Sequence, residues 1–270
     1  ERVIDGEEMV NILLPRGTEP FIAMIGVWRA GAACVILEEG YPAERLKFIQ
    51  NDCGCRLVMD RTVWQEAMAC ETLEGRETVD DHDAAFAVYT SGSTGNPKGV
   101  LHEYGNVDRA AETDLTMTGC ALISPLNVVA AIIIGTSVLH DGGTLFVIPY
   151  SVVKDPSAVR ECFVRYGITQ TLCAPSVFHL FRDIPSLELI IVASEPAYGI
   201  RSDDPKLQVY NFYGMSESAF VIAYKKLDEP NEISPIGRAC PGVVMMLRDE
   251  EGKPVPDGEE GELCCGTPYA

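Results

Sequence analysis

Short apolar runs alternate with amphipathic helical patterns along the first sixty residues of this chain. Residues 10–15, 34–37 and 56–59 read as buried strands, and helical spacing of apolar residues follows Glu19 and Pro42. The order strand, helix, strand, helix, strand is typical of a parallel sheet covered by helices. We therefore predict an α/β fold with mainly parallel sheets covered by helices.

Four later segments extend this pattern. Residues 155–166 predict an amphipathic helix that ends at Gly167, because glycine readily adopts the left-handed C-cap conformation. The apolar runs at residues 168–173, 187–192 and 208–211 predict three further strands. Strands and helices should thus alternate as far as Asn211.

Two segments give weaker signals. Residues 65–83 are charged and lack a clear period, so we expect a surface connection there. Residues 103–113 are expected to form a solvated helix.

The C-terminal part differs in character. After residue 236, glycine, proline and alternating apolar residues indicate hairpins built from residues 243–247 and 260–265. The expected division is an α/β core over residues 1–235 and the start of a smaller β-rich portion over residues 236–270.

Composition limits the partners and the compartment. The net charge of −19 argues against nucleic acid or an anionic membrane surface as a partner. Ten scattered cysteines without a C-x-x-C pattern indicate neither a zinc site nor a disulfide framework, which favours the reducing cytoplasm. The longest apolar run, residues 128–136, is too short to span a bilayer. No signal peptide is visible at Glu1, and the missing initial Met suggests an excised segment.

A polar loop lies between two strand-like apolar runs. Residues 89–99 read Tyr-Thr-Ser-Gly-Ser-Thr-Gly-Asn-Pro-Lys-Gly, with three glycines and five hydroxyl side chains. Glycines let backbone N–H groups approach an anion, hydroxyls add donors, and Lys98 adds a point charge, so the loop suits a polyphosphate. The spacing is not that of a Walker A motif, and we expect the loop to join two strands rather than open a helix. A surface loop without a ligand would also fit this composition.

A second motif with polar residues follows a predicted strand. Residues 211–217 read Asn-Phe-Tyr-Gly-Met-Ser-Glu. Tyr213 offers a flat face for a purine ring, and Glu217 offers the hard oxygen ligand that Mg²⁺ prefers. Taken alone, a Tyr-Gly turn is more often structural.

Together these two motifs resemble those of adenylate-forming enzymes. Residues 89–99 are most similar to the phosphate loop of nonribosomal peptide synthetase adenylation domains. Residues 211–217 match that family's N-x-Y-G-x-[ST]-E motif throughout. Residues 21–46, 236–238 and 254–263 also look like segments of the family, so the resemblance covers nearly all of the chain.

The resemblance implies a two-step reaction. A carboxylate attacks the α-phosphorus of ATP to give an acyl-adenylate and pyrophosphate, and the phosphopantetheine thiol of a carrier protein then captures the acyl group. The implied catalytic residues are Lys98, Ser216 and Glu217, with Glu217 holding Mg²⁺. The implied nucleotide-binding residues are Thr90, Ser91, Gly92, Ser93, Thr94, Gly95, Lys98, Asn211, Phe212, Tyr213 and Gly214.

The implied substrate pocket departs from the family pattern. When the chain is aligned on Gly142-Gly143, the aspartate that clasps a substrate α-ammonium group falls on Val129, and the preceding aromatic position falls on Val128. Ala193 and Phe212 complete the implied pocket. We expect a small carboxylic acid substrate without an α-ammonium group, although Val128 and Val129 would also fit a plain core.

The chain also stops at Ala270, before the family's ribose-binding aspartate, hinge and small C-terminal domain. We therefore expect a trimmed large subdomain with little activity alone. Two rival interpretations remain: an acyl-CoA or aryl-acid ligase, and a non-catalytic binding or scaffolding remnant. The retained Lys98 and Glu217 count against the remnant.

Overall fold

Two mainly parallel sheets organise the computed structural model, which describes residues 8–71, 75–91, 96–111, 115–219, 221–229 and 233–267. The first sheet has five strands, and their spatial order is β3 (Leu57–Met59), β1 (Met9–Ile12), β2 (Ala33–Ile36), β4 (Ala84–Ser91) and β5 (Pro97–Glu103). β1, β2, β3 and β4 pair in parallel, and β5 runs antiparallel to β4. All four residues of β2 are buried, as a parallel strand covered on both faces requires.

The second sheet has seven strands, and their spatial order is β12 (Arg238–Ala239), β11 (Ala223–Lys226), β10 (Gln208–Tyr213), β9 (Leu189–Ala193), β8 (Gln170–Cys173), β6 (Gly119–Leu122) and β7 (Thr144–Val147). The strands from β10 to β7 are parallel, whereas β11 and β12 are antiparallel additions at one edge. The predicted fold class is confirmed.

Seven α-helices lie between these strands in the described part of the chain. They are α1 (Glu19–Arg29), α2 (Ala43–Asp52), α3 (Arg61–Ala69), α4 (Tyr104–Ala111), α5 (Val129–His140), α6 (Tyr150–Val153) and α7 (Pro156–Tyr166). The α7 prediction holds closely, since Asp155 caps its start and Gly167 ends it in the left-handed conformation. No helix among the described residues has the length and apolar character needed to cross a membrane.

A separate hairpin follows the second sheet. β13 (Val244–Arg248) pairs antiparallel with β14 (Glu262–Gly266), close to the two predicted strands. β12 lies beyond residue 235 but belongs to the seven-stranded sheet, so the hairpin itself begins at Val244.

Two expectations were wrong in part. Residues 65–83 do not form only a surface connection, because α3 covers Arg61–Ala69. Its start is fixed by Asp60, whose carboxylate accepts hydrogen bonds from the backbone N–H groups of Thr62 and Val63. The helix has no fully buried residue, and Trp64 packs against the main hydrophobic cluster from a partly buried position.

The helix expected at residues 103–113 is α4, but it is not simply solvated. Val107 and Ala110 are buried in the main hydrophobic cluster. They lie three residues apart, and this spacing places them on one face of the helix.

Candidate functional site

The two polar motifs meet in the folded chain. Lys98 is the second residue of β5, and Glu217 lies in a short 3₁₀ turn, Ser216–Ser218, that follows β10. The Lys98 Nζ atom donates a hydrogen bond to Glu217 Oε1 at 3.1 Å, across 119 residues of sequence. The fold therefore joins the predicted phosphate loop to the predicted metal ligand.

The strands on either side of the predicted phosphate loop pair as a hairpin, as predicted. β4 and β5 pair antiparallel, with Thr90 opposite Lys98 and Ser91 opposite Pro97. The Thr90 hydroxyl donates to the Lys98 carbonyl oxygen at 3.5 Å. Four predicted phosphate contacts, Gly92, Ser93, Thr94 and Gly95, lie outside the described residues.

Tyr89 anchors β4 near the end of that strand. Its hydroxyl donates to Asp52 Oδ2, at the end of α2, at 2.7 Å. Its ring lies so close to Gly99 that a Cβ atom added at Gly99 would come within 3.1 Å of the ring. A side chain at Gly99 would therefore press on the Tyr89 ring.

The turn containing Glu217 is held by its own side chains. The Ser218 hydroxyl accepts from the Met215 N–H at 3.3 Å and donates to the Met215 carbonyl at 3.1 Å. Ala219 then leaves the turn in the left-handed region, at φ 49°. Glu217 itself points outward from this closed turn.

Glu217 is a carboxylate available to a cation. Its own backbone N–H and, next, the Lys98 ammonium group lower the pKa of Glu217, so the side chain is ionised at neutral pH. The side chains of Lys98 and Glu217 are 64% and 48% exposed, so solvent and ligands can reach both. An exposed ion pair of this kind contributes about 1 kcal/mol or less to stability.

The sequence reasoning missed His102. This side chain on β5 is 1% exposed and stacks on Phe86, with ring centroids 4.5 Å apart. It hydrogen-bonds the Ser216 backbone and lies near Glu217, and burial lowers the pKa of His102. Its Nε2 atom has no hydrogen-bond partner among the described residues. The available signal was its position two residues after buried Val100, which places both side chains on one face of the strand.

The other predicted nucleotide contacts differ in exposure. Tyr213 is half-buried at the end of β10, and Gly214 is exposed. Asn211 is 4% exposed, and its amide donates to the Pro235 carbonyl at 3.0 Å. The observed role of Asn211 is therefore to tie β10 to the segment that precedes β12.

Three of the four predicted pocket residues lie in the main buried cluster, and two of them are on neighbouring strands. Val129, Ala193 and Phe212 belong to one buried cluster, in which Phe212 lies directly opposite Ala193 on the neighbouring strand. Val128 sits at the N-cap of α5 and is 36% exposed. The crevice that remains beside Phe212 is only about 10 Å³, so Phe212 fills this part of the core.

A much larger cavity, about 1020 Å³, lies along one face of β10, β11 and β12. Its wall contains the aromatic side chains of Tyr210, Phe212 and Tyr224, with Lys226 and Arg238 among its charged residues. Val128, Val129 and Ala193 do not line it. Phe212 therefore separates the buried pocket candidates from this open cavity.

Comparison with known proteins places these features in context. A family model described as AMP-binding enzyme matches residues 3–270. Tyrocidine synthase 2 of Brevibacillus parabrevis is 26% identical over 97% of this chain, and a dimodular nonribosomal peptide synthase of Bacillus subtilis is 28% identical over 95%. The chain spans 8% and 13% of the length of these two relatives. The resemblance drawn from the two motifs is confirmed.

Solved structures show the same fold. The N-terminal subdomain of NpsA from Klebsiella oxytoca, in complex with 3-hydroxyanthranilyl-AMSN, matches with a TM-score of 0.84 at 20% identity, covering 96% of this chain and 74% of that chain. An artificially fused adenylation–PCP di-domain of NpsA and ThdA matches with a TM-score of 0.82 at 19% identity, covering 98% of this chain and 60% of that chain. The two sheets and the hairpin thus have the arrangement of an adenylation N-terminal subdomain.

Proposed function

Because this chain belongs to the family of AMP-binding enzymes, we propose that it forms the nucleotide-binding part of an enzyme that activates a carboxylic acid as its acyl-adenylate. The observation that carries the proposal is the 3.1 Å contact between Lys98 and Glu217. A phosphate-binding cation and a metal-binding carboxylate that lie side by side can both contact one ligand that carries phosphate and metal. That ligand is ATP with Mg²⁺.

The residues present fit this ligand. Glu217 is ionised and half-exposed, as a ligand for a hard cation must be. When bound, Mg²⁺ would neutralise part of the charge on the phosphate oxygens. Lys98 would then contact the β- and γ-phosphates, so the Lys98–Glu217 pair must separate. The separation costs little, since a surface ion pair contributes about 1 kcal/mol or less.

The reaction itself needs alignment of two anions. The carboxylate oxygen of the acid forms a bond to the α-phosphorus, and the bond to the β-phosphate oxygen breaks to release pyrophosphate. Lys98 reduces the charge repulsion, while Thr90 and Ser91 help to hold the phosphates, Ser216 contacts the α-phosphate and Tyr213 stacks on the adenine. The acyl group then passes to the phosphopantetheine thiol of a carrier protein in the reducing cytoplasm.

The acid substrate is proposed to lack an α-ammonium group. Val129 is buried among apolar side chains, where a bare ammonium group would lose its water without gaining an acceptor. The alternative acceptors for an ammonium group are the carboxylates of Glu195 and Glu217; Glu195 accepts one hydrogen bond, from the Ser176 N–H at 3.1 Å, and keeps further acceptor sites. In the complete enzyme, pyrophosphate exchange should favour a keto or hydroxy acid over the amino acid with the same side chain. A preference for the amino acid would refute this assignment.

Lys98→Ala tests the proposed nucleotide site directly. Loss of a charged hydrogen bond worth roughly 1.5–3 kcal/mol should weaken Mg-ATP binding by about tenfold or more. Binding to the 270-residue chain is measured by isothermal titration calorimetry, and the unfolding free energy should change by less than about 1 kcal/mol.

The matched control is Lys154→Ala, which removes an exposed lysine at the end of α6. This variant should bind Mg-ATP as the unmodified chain does. Equal affinities in the Lys98 and Lys154 variants would mean that the hairpin does not bind phosphate.

A further inference from the structure

Two thiols lie together where α2 ends. Cys53 is the C-cap of α2, and its N–H donates to the Ile49 carbonyl at 3.0 Å. Gly54 follows in the left-handed conformation, at φ 64°, which turns the chain so that Cys55 comes back beside Cys53. The two cysteines lie two residues apart on this turn, and both are half-buried.

Polar groups of the first sheet surround this pair. The Cys53 thiol donates to Asn11 Oδ1 at 3.5 Å, and the Cys55 thiol donates to the Leu57 carbonyl at 2.9 Å. Asn11 is fully buried on β1, and its side-chain Nδ2 has no hydrogen-bond partner among the described residues. The Cys53 sulfur therefore contacts the side-chain oxygen of a buried amide, and the Cys55 sulfur contacts a backbone carbonyl of the neighbouring strand.

The two thiols differ in acidity. The Cys53 thiol has the largest effect on the pKa of Cys55 and lowers it. Backbone groups of Asn11 and Leu57 lower it further, so that the pKa is about 7 although burial acts to raise it. The pKa of Cys53 is raised, so Cys53 retains its proton. By contrast, burial raises the pKa of Cys120 and of Cys173 to about 12. Since the thiolate is the reactive form, Cys55 differs from the buried cysteines in its chemistry.

We propose that Cys53 and Cys55 form an oxidation site in which a peroxide converts the two thiols to a disulfide. The Cys55 thiolate attacks one peroxide oxygen, the O–O bond breaks, and the departing hydroxide takes up a proton to leave as water. The resulting sulfenic acid is attacked by the Cys53 sulfur, which loses its proton as the S–S bond forms and a second water leaves. Two thiols are oxidised and one hydrogen peroxide is reduced to two waters.

The cysteine pair lies close to the hairpin that carries the predicted phosphate loop. Asp52, the residue before Cys53, holds the Tyr89 hydroxyl at 2.7 Å. Tyr89 lies near the end of β4, the hairpin strand that leads into the phosphate loop. The oxidation site therefore lies one residue from the anchor of that hairpin, and its chemistry does not depend on the proposed adenylation activity.

Peptide mapping tests the proposal. Trypsin releases residues 48–56 as one peptide, because Lys47 and Arg56 flank it, and Cys53 and Cys55 are its two cysteines. After the chain is treated with hydrogen peroxide at pH 7 and the remaining thiols are alkylated, this peptide should lack two hydrogen atoms and carry no alkyl group. Cys70→Ser, which removes an exposed thiol at the C-cap of α3, is the control and should give the same disulfide.

Single substitutions assign the two roles. In Cys53→Ser, the oxidation should stop at a sulfenic acid on Cys55, detected as a dimedone adduct. In Cys55→Ser, Cys53 should react with peroxide at least about tenfold more slowly, because its thiolate fraction is small. In the unmodified chain, the rate of Cys55 alkylation by iodoacetamide should rise with a midpoint near pH 7. A peptide 48–56 that stays reduced while Cys70 is oxidised would overturn the proposal.

Discussion

The Lys98–Glu217 contact and the cluster around Phe212 have opposite physical character, although the turn that holds Glu217 directly follows the strand that holds Phe212. Lys98 and Glu217 are about half exposed, whereas Val129, Ala193 and Phe212 are each at most 8% exposed. An exposed ion pair can open at little cost, but a closely packed interior resists any change of volume. The region proposed to bind the nucleotide can therefore rearrange, and the region proposed to select the acid has a fixed shape.

Phe212→Ala tests the rigidity of the Phe212 cluster and should give the largest change in unfolding free energy. Removal of a buried ring should lower the unfolding free energy by about 3–5 kcal/mol, because neighbouring side chains fill the space only in part. Urea denaturation monitored by circular dichroism measures the change. Phe212→Leu, which keeps most of the apolar volume, is the control and should cost clearly less. A cost below about 1 kcal/mol for Phe212→Ala would mean that the cluster is not rigid.

Val129→Asp and Val128→Asp form a second, smaller test on adjacent residues. Val129 is 6% exposed, so a buried carboxylate there should cost at least about 2 kcal/mol of stability. Val128 is partly exposed at the N-cap of α5, where Asp is a preferred residue, and the same substitution should be neutral or stabilising. Thermal unfolding of both variants measures the difference. Equal losses would contradict the assigned boundary between surface and cluster.

The smallest expected effect concerns His102, which joins the two regions. Burial lowers the pKa of His102 below its ordinary value of about 6.5, so the unfolded chain takes up a proton there more readily than the folded chain. This histidine therefore makes stability fall as the pH drops through about 6.5. His102→Gln should reduce that slope in urea denaturation between about pH 5 and 7.5.

His82 is the control for this pH dependence. A hydrogen bond to Glu103 raises the pKa of His82, so its contribution is present at low pH and is lost as the pH rises. His82→Gln should therefore change the slope in the opposite sense. If His102→Gln leaves the dependence of the unfolding free energy on pH unchanged, His102 is not a buried histidine that stays neutral in the folded chain.

The outline of the fold could be predicted because apolar periodicity reports burial directly. The parallel order of β1, β2 and β3 followed from alternating strands and helices, and Gly167 marked the end of α7. α3 was harder to find in this way, since none of its residues is fully buried and its clearest signal is the cap at Asp60. Periodicity identifies elements that face a core and misses those that depend on local hydrogen bonds.

Within the candidate site, residue type already indicated the chemistry of Lys98 and Glu217. A lysine in a glycine-rich loop and a carboxylate after a Tyr-Gly turn suggested a phosphate and a metal ligand before any contact was known. The distance between them and the location of Phe212 at the wall of a large cavity came only from tertiary structure. The same holds for His102, because a histidine on an alternating strand gains its lowered pKa only from what is packed around it. Side-chain chemistry is a property of each residue, whereas separation and burial depend on contacts between segments far apart in the chain, which no local pattern encodes.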